Sequence, residues 1–152
     1  MLWGAAGQKI GLRGAEMIAQ TIKPNVAIIT DVCHETSAPC YTASKEGETV
    51  AGQGGVITRA PAVHNKLRKL VLDVANDKEI PFQLSASSRS TGTDTESFAY
   101  RVSAVSALIS LPLKYMHTTV ETCHKDDVEN VIKLIYHTLL NIEENHNFKY
   151  NS

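Results

Sequence analysis

Apolar residues follow two rhythms along the chain. Short continuous runs predict strands at residues 2–6, 26–30, 54–57, 81–85 and 105–110. The runs from Val26 and from Val105 are apolar at successive positions, the pattern of a strand buried on both faces. Between them, apolar positions return every three or four residues. A short helix ends near Ile22, stopped by Lys23-Pro24-Asn25. A second opens at Pro61, since proline suits the first helical position, and carries Val63, Leu67, Leu70, Val71 and Val74 on one face. A third is predicted over 93–102. The last carries the stripe Val128, Val131, Ile132, Ile135, Leu139 and Ile142, with Asp126 at the N-cap and Glu129 three residues on, a capping-box arrangement. Residues 33–53 read as a polar connection, and the chain from Glu143 onward as a polar, frayed end. Strand–helix alternation predicts an α/β sheet with helices on both faces, one domain over 1–145 and a polar tail over 146–152.

Composition narrows the function classes. The chain has 152 residues, of which 43% are apolar and 20% charged, as in ordinary globular proteins. A chain of this size buries about 70% of its unfolded surface. The formal net charge of -1 provides no field for nucleic acid or anionic membrane. The basic residues Lys66, Arg68 and Lys69 read as the solvated face of the second helix. No apolar run approaches the ~20 residues that span a bilayer, and the apolar start lacks the basic flank of a signal peptide. Cys33, Cys40 and Cys123 are an odd, sparse set, expected as free thiols of a cytoplasmic protein.

In α/β sheets, functional groups collect at the carboxyl ends of strands. Three candidates sit there: Asp31, His117 and the turn Gly92-Thr93-Asp94. Each has a plainer reading. Asp31 fits a cap, His117 a hydrogen-bonded core histidine, and Asp94 the N-cap of its helix. Together, Asp31 and His117 supply the carboxylate and imidazole of a hydrolytic zinc or cobalt site. Catalytic zinc, however, takes about three protein ligands plus water, and two-metal centres need more. A second set, Cys33, Cys40, Cys123 and His124 with His34 in reserve, has the ligand types of structural zinc. Its Cys33–Cys40 spacing is not that of the short ligand pair. His64, His137 and His146 fall on helix surfaces or in the tail. Arg89 and the serine-rich segment 85–90 border the Gly-Thr-Asp turn.

Several strings, in order, resemble the M42 metalloaminopeptidases (the glutamyl and tetrahedral aminopeptidase group, sometimes labelled endoglucanase). Ile10-Gly11-Leu12-Arg13-Gly14-Ala15 resembles the stretch that follows the family's paired glutamates. The run from Lys23 to Val32 is similar to the strand bearing its metal-binding aspartate. Gly92-Thr93-Asp94 matches its Gly-Thr-Asp motif, Tyr115-Met116-His117 its histidine-bearing segment, and Asp126-Asp127-Val128 the start of its last helix. The resemblance spans nearly the whole chain. It implies the three-layer α/β/α sandwich of the zinc peptidases, truncated at the N-terminus and lacking the inserted dimerisation domain. It also implies two divalent ions, zinc or cobalt, activating water against an N-terminal peptide bond, with Asp31 and His117 as metal ligands. Gly92, Thr93 and Asp94 become substrate-pocket candidates.

The departures from that pattern bear on activity. Gln8 and Lys9 stand where the family has its glutamate pair, the general base and a metal ligand. Losing a general base costs about 10²–10⁴-fold in rate. An ammonium ~4 Å from a cation costs about 4 kcal/mol per unit charge at an effective dielectric of ~20. The family's first metal-binding histidine and its bridging aspartate lie upstream of the pair and have no counterpart in the chain; Lys114 replaces the usual arginine. Of about five ligands in such a two-metal centre, two remain. The expectation is a catalytic-domain fragment, inactive as the isolated chain, with weak or absent metal binding. The alternatives are a non-catalytic α/β binding or remnant module, and one half of a split peptidase completed by an N-terminal partner. An exposed sheet edge would also invite self-association.

Overall fold

The computed structural model describes residues 11–37, 47–143 and 146–150. The strand expected at 2–6, Gln8, Lys9 and Cys40 lie outside the described residues. In chain order the elements are α1 (Arg13–Ile22), β1 (Val26–His34), β2 (Gly55–Arg59), α2 (Asn65–Asp77), β3 (Phe82–Ala86), α3 (Thr95–Arg101), β4 (Val105–Leu113) and α4 (Lys125–Leu140). The strands form one mixed sheet in the order β1-β4-β2-β3. β1 runs parallel to β4 from Val26↔Val105 to His34↔Leu113. β2 and β3 are parallel to each other, and β2 meets β4 antiparallel at Val56↔Ser110 and Ile57↔Ile109.

Side-chain alternation on these strands builds two apolar layers. On one face, Ile57, Ala107 and Ile109 pack against Leu67, Val71 and Val74 of α2 and Val131 and Leu134 of α4. On the other, Ile29 and Leu108 pack with Ala60, Val63 and Phe98 of α3. α1 docks on α3 through its buried alanines Ala15 and Ala19 and through an Arg101–Glu16 ion pair at 3.2 Å. The expected α/β architecture with helices on both faces is therefore present. No helix among the described residues is long and apolar enough to cross a membrane.

The elements depart from the sequence pattern in instructive places. β1 extends four residues past its apolar run and β4 three, because each is paired with the other as far as His34↔Leu113. Pro112, which lacks an N–H, is tolerated there because β2 has already ended its pairing with β4 at Ser110. Pro61 does not open α2. It occupies the second position of a turn closed by Val63 N–H donating to the Ala60 carbonyl at 3.0 Å, and the helix begins four residues later at Asn65. That turn buries Ala62 and Val63.

The last helix is rotated from its expected orientation. Its buried face is Asp127, Val131, Leu134 and Thr138, while Ile132 and Leu139 are 61% and 51% exposed. Asp127 explains the rotation. Its carboxylate is fully buried and accepts from the N–H groups of Gly52 and Gly54, both at 2.7 Å. The helix must therefore turn this polar residue inward. Nor is Asp126 the N-cap: His124 holds that position and its Nδ1 accepts from the Asp126 N–H at 3.3 Å, so no capping box forms with Glu129. Gln83 grips the same loop from β3. It accepts from Val50 N–H and donates to the Val50 and Gly54 carbonyls. Gly54 is obligatory here, since its φ is +93° and a Cβ would lie 2.0 Å from the Pro81 carbonyl oxygen.

Residues 146–150 are not a frayed end. Phe148 is only 7% exposed and belongs to the α2–α4 core layer. His64 stacks on Tyr150 with ring centroids 4.4 Å apart, and the Tyr150 hydroxyl accepts from Asn65 N–H at the start of α2. The Lys66 ammonium donates to the Lys149 carbonyl. Burial, and then the Lys66 charge, hold the His64 imidazole below its ordinary pKa, so the stack favours the neutral ring.

Two substitutions test these contacts. Asp127→Ala leaves the Gly54 N–H buried without an acceptor and should cost about 3 kcal/mol in urea unfolding, with Asp127→Asn losing roughly half of that. Phe148→Ala should cost about 3 kcal/mol, against near-neutral behaviour for a truly frayed residue.

Candidate functional site

A cavity of about 580 Å³ opens over the α1–α3 face of the sheet, and β1, β4 and the segment after β3 supply its walls. Asp31, Cys33 and His34 line it from β1, Ser110 from β4, Thr58 from β2, and Ser85 from β3. The segment that follows β3 adds Ser87, Ser90, Thr91, Gly92 and Thr93. The lining is thus rich in hydroxyl groups, with one carboxylate and two imidazoles placed among them.

Asp31 lies inside β1 rather than at its end, opposite Ser110 of β4. Its Oδ1 accepts from the Val32 N–H at 2.8 Å. His117 follows β4 in a turn closed by the reciprocal Lys114–Thr122 backbone pair at 2.9 and 3.0 Å. Both Tyr115 and His117 adopt left-handed backbone angles, φ 57° and 66°. This conformation costs non-glycine residues of order 1 kcal/mol. The turn offsets it with a hydrogen bond from His117 N–H to the Glu121 carboxylate and one from Thr118 Oγ1 to the Tyr115 carbonyl. The result carries the imidazole back over the carboxyl end of β1. Asp31 and His117, separated by most of the chain, meet around one cavity because β1 and β4 are parallel neighbours.

His34 was a reserve ligand for a cysteine-based site in the sequence reading. The structure places it instead beside His117, ring centroids 6.3 Å apart and edge to face. No local motif marks it; only the extension of β1 past Thr30 brings it to the cavity. Cys33 is pushed up to about 12, by burial first and then by the Asp31 and Asp127 charges, so it remains a thiol. Cys123 is exposed, and His124 serves as the cap of α4. Among the described residues, no three His, Cys, Asp or Glu side chains group closely enough to hold a metal ion.

Gly92 and Thr93 line the cavity, whereas Asp94 lies just behind it. Its backbone starts α3 but its side chain makes no capping bond. Instead, Thr91, Thr93 and Thr95 form a hydroxyl chain at 2.9 and 2.8 Å, and Glu96 accepts from Thr91 N–H. Asp94 Oδ1 is buried without a partner. Burial, and then the nearby Asp31 carboxylate, raise the Asp94 pKa. The Asp31 charge therefore bears on Asp94 from the cavity side.

Comparison with known proteins accounts for this arrangement. The family model for M42 glutamyl aminopeptidase matches residues 4–134. A lysyl aminopeptidase of Pyrococcus furiosus is 37% identical over 130 residues, which are 84% of this chain and 36% of that protein. The crystal structure of the TET aminopeptidase from Thaumarchaeota archaeon SCGC AB-539-E09 superposes with a TM-score of 0.84 at 27% identity, covering 93% of this chain and 40% of that one. The Pyrococcus horikoshii TET1 peptidase, which can assemble into a tetrahedron or a large octahedral shell, superposes with a TM-score of 0.69 at 27% identity over 89% of this chain and 38% of that one. The chain thus spans well under half the length of each of these relatives. The match runs from before α1 into α4, taking in the strands and turns that bring Asp31 and His117 together, and the chain belongs to the M42 glutamyl aminopeptidase family.

Proposed function

We propose that the cavity around Asp31 and His117 derives from an aminopeptidase active site, and that this chain by itself does not hydrolyse peptides. The observation that carries the reading is the convergence of Asp31, from β1, with His117, from the turn after β4, on one hydroxyl-lined cavity. The family is metal-dependent, and carboxylate plus imidazole suit zinc or cobalt in kind. They do not suit a two-metal centre in number, since the described donors make no group of three. Asp31 and His117, with His34 close by, would hold a divalent ion weakly.

The rest of the reading follows from what occupies the family's glutamate positions. Gln8 has no carboxylate to take a proton from water, and the Lys9 ammonium replaces an anion with a cation. Peptide is the substrate class expected of the ancestor, with Gly92 and Thr93 at the pocket wall and Asp94 next to them in the chain. A cytoplasmic location belongs to the same proposal and rests on the odd, sparse cysteines. The non-catalytic module and the split enzyme differ in what fills the cavity, a bound ligand or a second polypeptide.

The test is hydrolysis of leucine p-nitroanilide by the purified chain with added Co²⁺ or Zn²⁺. Turnover should not exceed that of His117→Ala; clear excess over that control would refute inactivity. In the same preparation, Gln8→Glu/Lys9→Glu should tighten Co²⁺ binding by at least ~10-fold in calorimetry, as removal of a like charge near the ion predicts. No change would mean that Lys9 does not face the metal site.

Self-association is the partner reading that the relatives support. β1 and β3 are the outer strands of the described sheet, and an unpaired strand edge is a pairing surface. Light scattering after gel filtration should give a multiple of 16.6 kDa; a mass of one chain across the accessible concentration range would remove this part.

A further inference from the structure

On the opposite face of the sheet, a second cavity of about 360 Å³ lies between the ends of β2 and β3 and the first turns of α2. Two guanidinium groups line it, Arg59 from the last position of β2 and Arg68 from α2. Strand alternation makes it separate from the first cavity: Thr58 faces one and Arg59, the next residue, faces the other. The two share a wall, since Thr49, Ser85 and Ala86 border both.

Arg68 was expected on the solvated face of α2. It is instead half-buried, and its Nε is enclosed without an acceptor. Neither arginine belongs to any ion pair found among the described residues. Among the described residues of the lining Glu48 is the single acidic one, so two positive groups face one negative group there. Burial, and then the Arg59 charge, lower the Arg68 pKa, yet an arginine stays charged at neutral pH. A buried donor on a charged group, held near a like charge, is costly unless an anion reaches it. A guanidinium presents paired N–H groups that match a carboxylate or phosphate.

We propose that the Arg59–Arg68 cavity is an anion site, taking the phosphate or carboxylate group of a small molecule, or inorganic phosphate itself. Its volume lies in the small-molecule range, room for ~10 waters at ~30 Å³ each, and so admits an anionic group with an organic remainder. Binding there requires neither a metal nor hydrolysis in the first cavity.

The test follows the Arg68 Nε–Hε resonance of the full chain by NMR during titration with inorganic phosphate, glycerol 1-phosphate or acetate, each against chloride at equal ionic strength. At least one of the three should give a saturable shift with a dissociation constant of ~1 mM or tighter. Arg59→Gln, at an exposed strand end, should weaken binding about tenfold, equivalent to one lost charge-assisted contact. Arg68→Lys keeps the charge but loses Nε, and calorimetry should show several-fold weaker binding. Tighter binding of the monoester than of phosphate identifies a phosphorylated molecule; equal binding identifies the free ion; preference for acetate identifies a carboxylate. All three titrating like chloride, or Arg59→Gln binding as the parent does, overturns the proposal.

Discussion

The arrangement of the whole chain depends on β4 being wanted by both halves of the sheet. It is the parallel partner of β1 over nine residue pairs and the antiparallel partner of β2 over two. Among the described strands, no other joins the β1 side to the β2–β3 side. A strand so placed has helices above and below it, which is why Ala107 and Ile109 enter one apolar layer and Leu108 the other. Its polar side chains are confined to serine. Ser106 satisfies itself on the Ala104 carbonyl, and Ser110 points into the cavity. The parallel pairing also sets the chemistry. It brings the carboxyl ends of β1 and β4 to the same edge, and with them Asp31 and the turn that carries His117.

Much of this was legible in the residues, and what was not has physical causes. The two-sided apolar runs from Val26 and Val105 announced the buried strands, but their length was hidden. Cys33, His34 and Pro112 carry no strand signal and extend the strands only because each has the other's chain to pair with. The stripe on α4 was read from apolar residues alone, and the error is informative. A carboxylate needed by two glycine N–H groups outweighed Ile132 and Leu139 in deciding which face turns inward. Pro61 had the right residue type for a helix start and was used in a turn instead, since Val63 must reach the second apolar layer. Asp31 and His117 stand out in the sequence through the ends of apolar runs and through motifs, and both line the cavity, although Asp31 lies within β1 rather than at its end. His34 was missed as a cavity residue, because its place follows from the pairing of β1 rather than from its neighbours in sequence.

A family's scaffold and its chemistry rest on different residues. The scaffold is retained well enough to superpose with a TM-score of 0.84 on a TET aminopeptidase. Packing tolerates many substitutions as long as volume and pattern persist. A hydrolytic centre tolerates few, because its work is done by charges at fixed places. Under the proposed function, Gln8 and Lys9 are substitutions of the second kind: the first removes a charge and the second reverses it.

The Asp127 clamp has a consequence for how the chain reaches its structure. The carboxylate on the first turn of α4 holds backbone groups 73 and 75 residues earlier in the sequence. Likewise, β1 cannot be paired until β4 exists. Contacts of such long span slow folding, since loop closure must precede any gain from them. During synthesis the loop leading into β2 is therefore made early and fixed late. β1 and β2 wait for β4, the partner they share, and the loop before β2 waits longer still, for the first turn of α4, so the last contact to form is one that ties the ends of this span together.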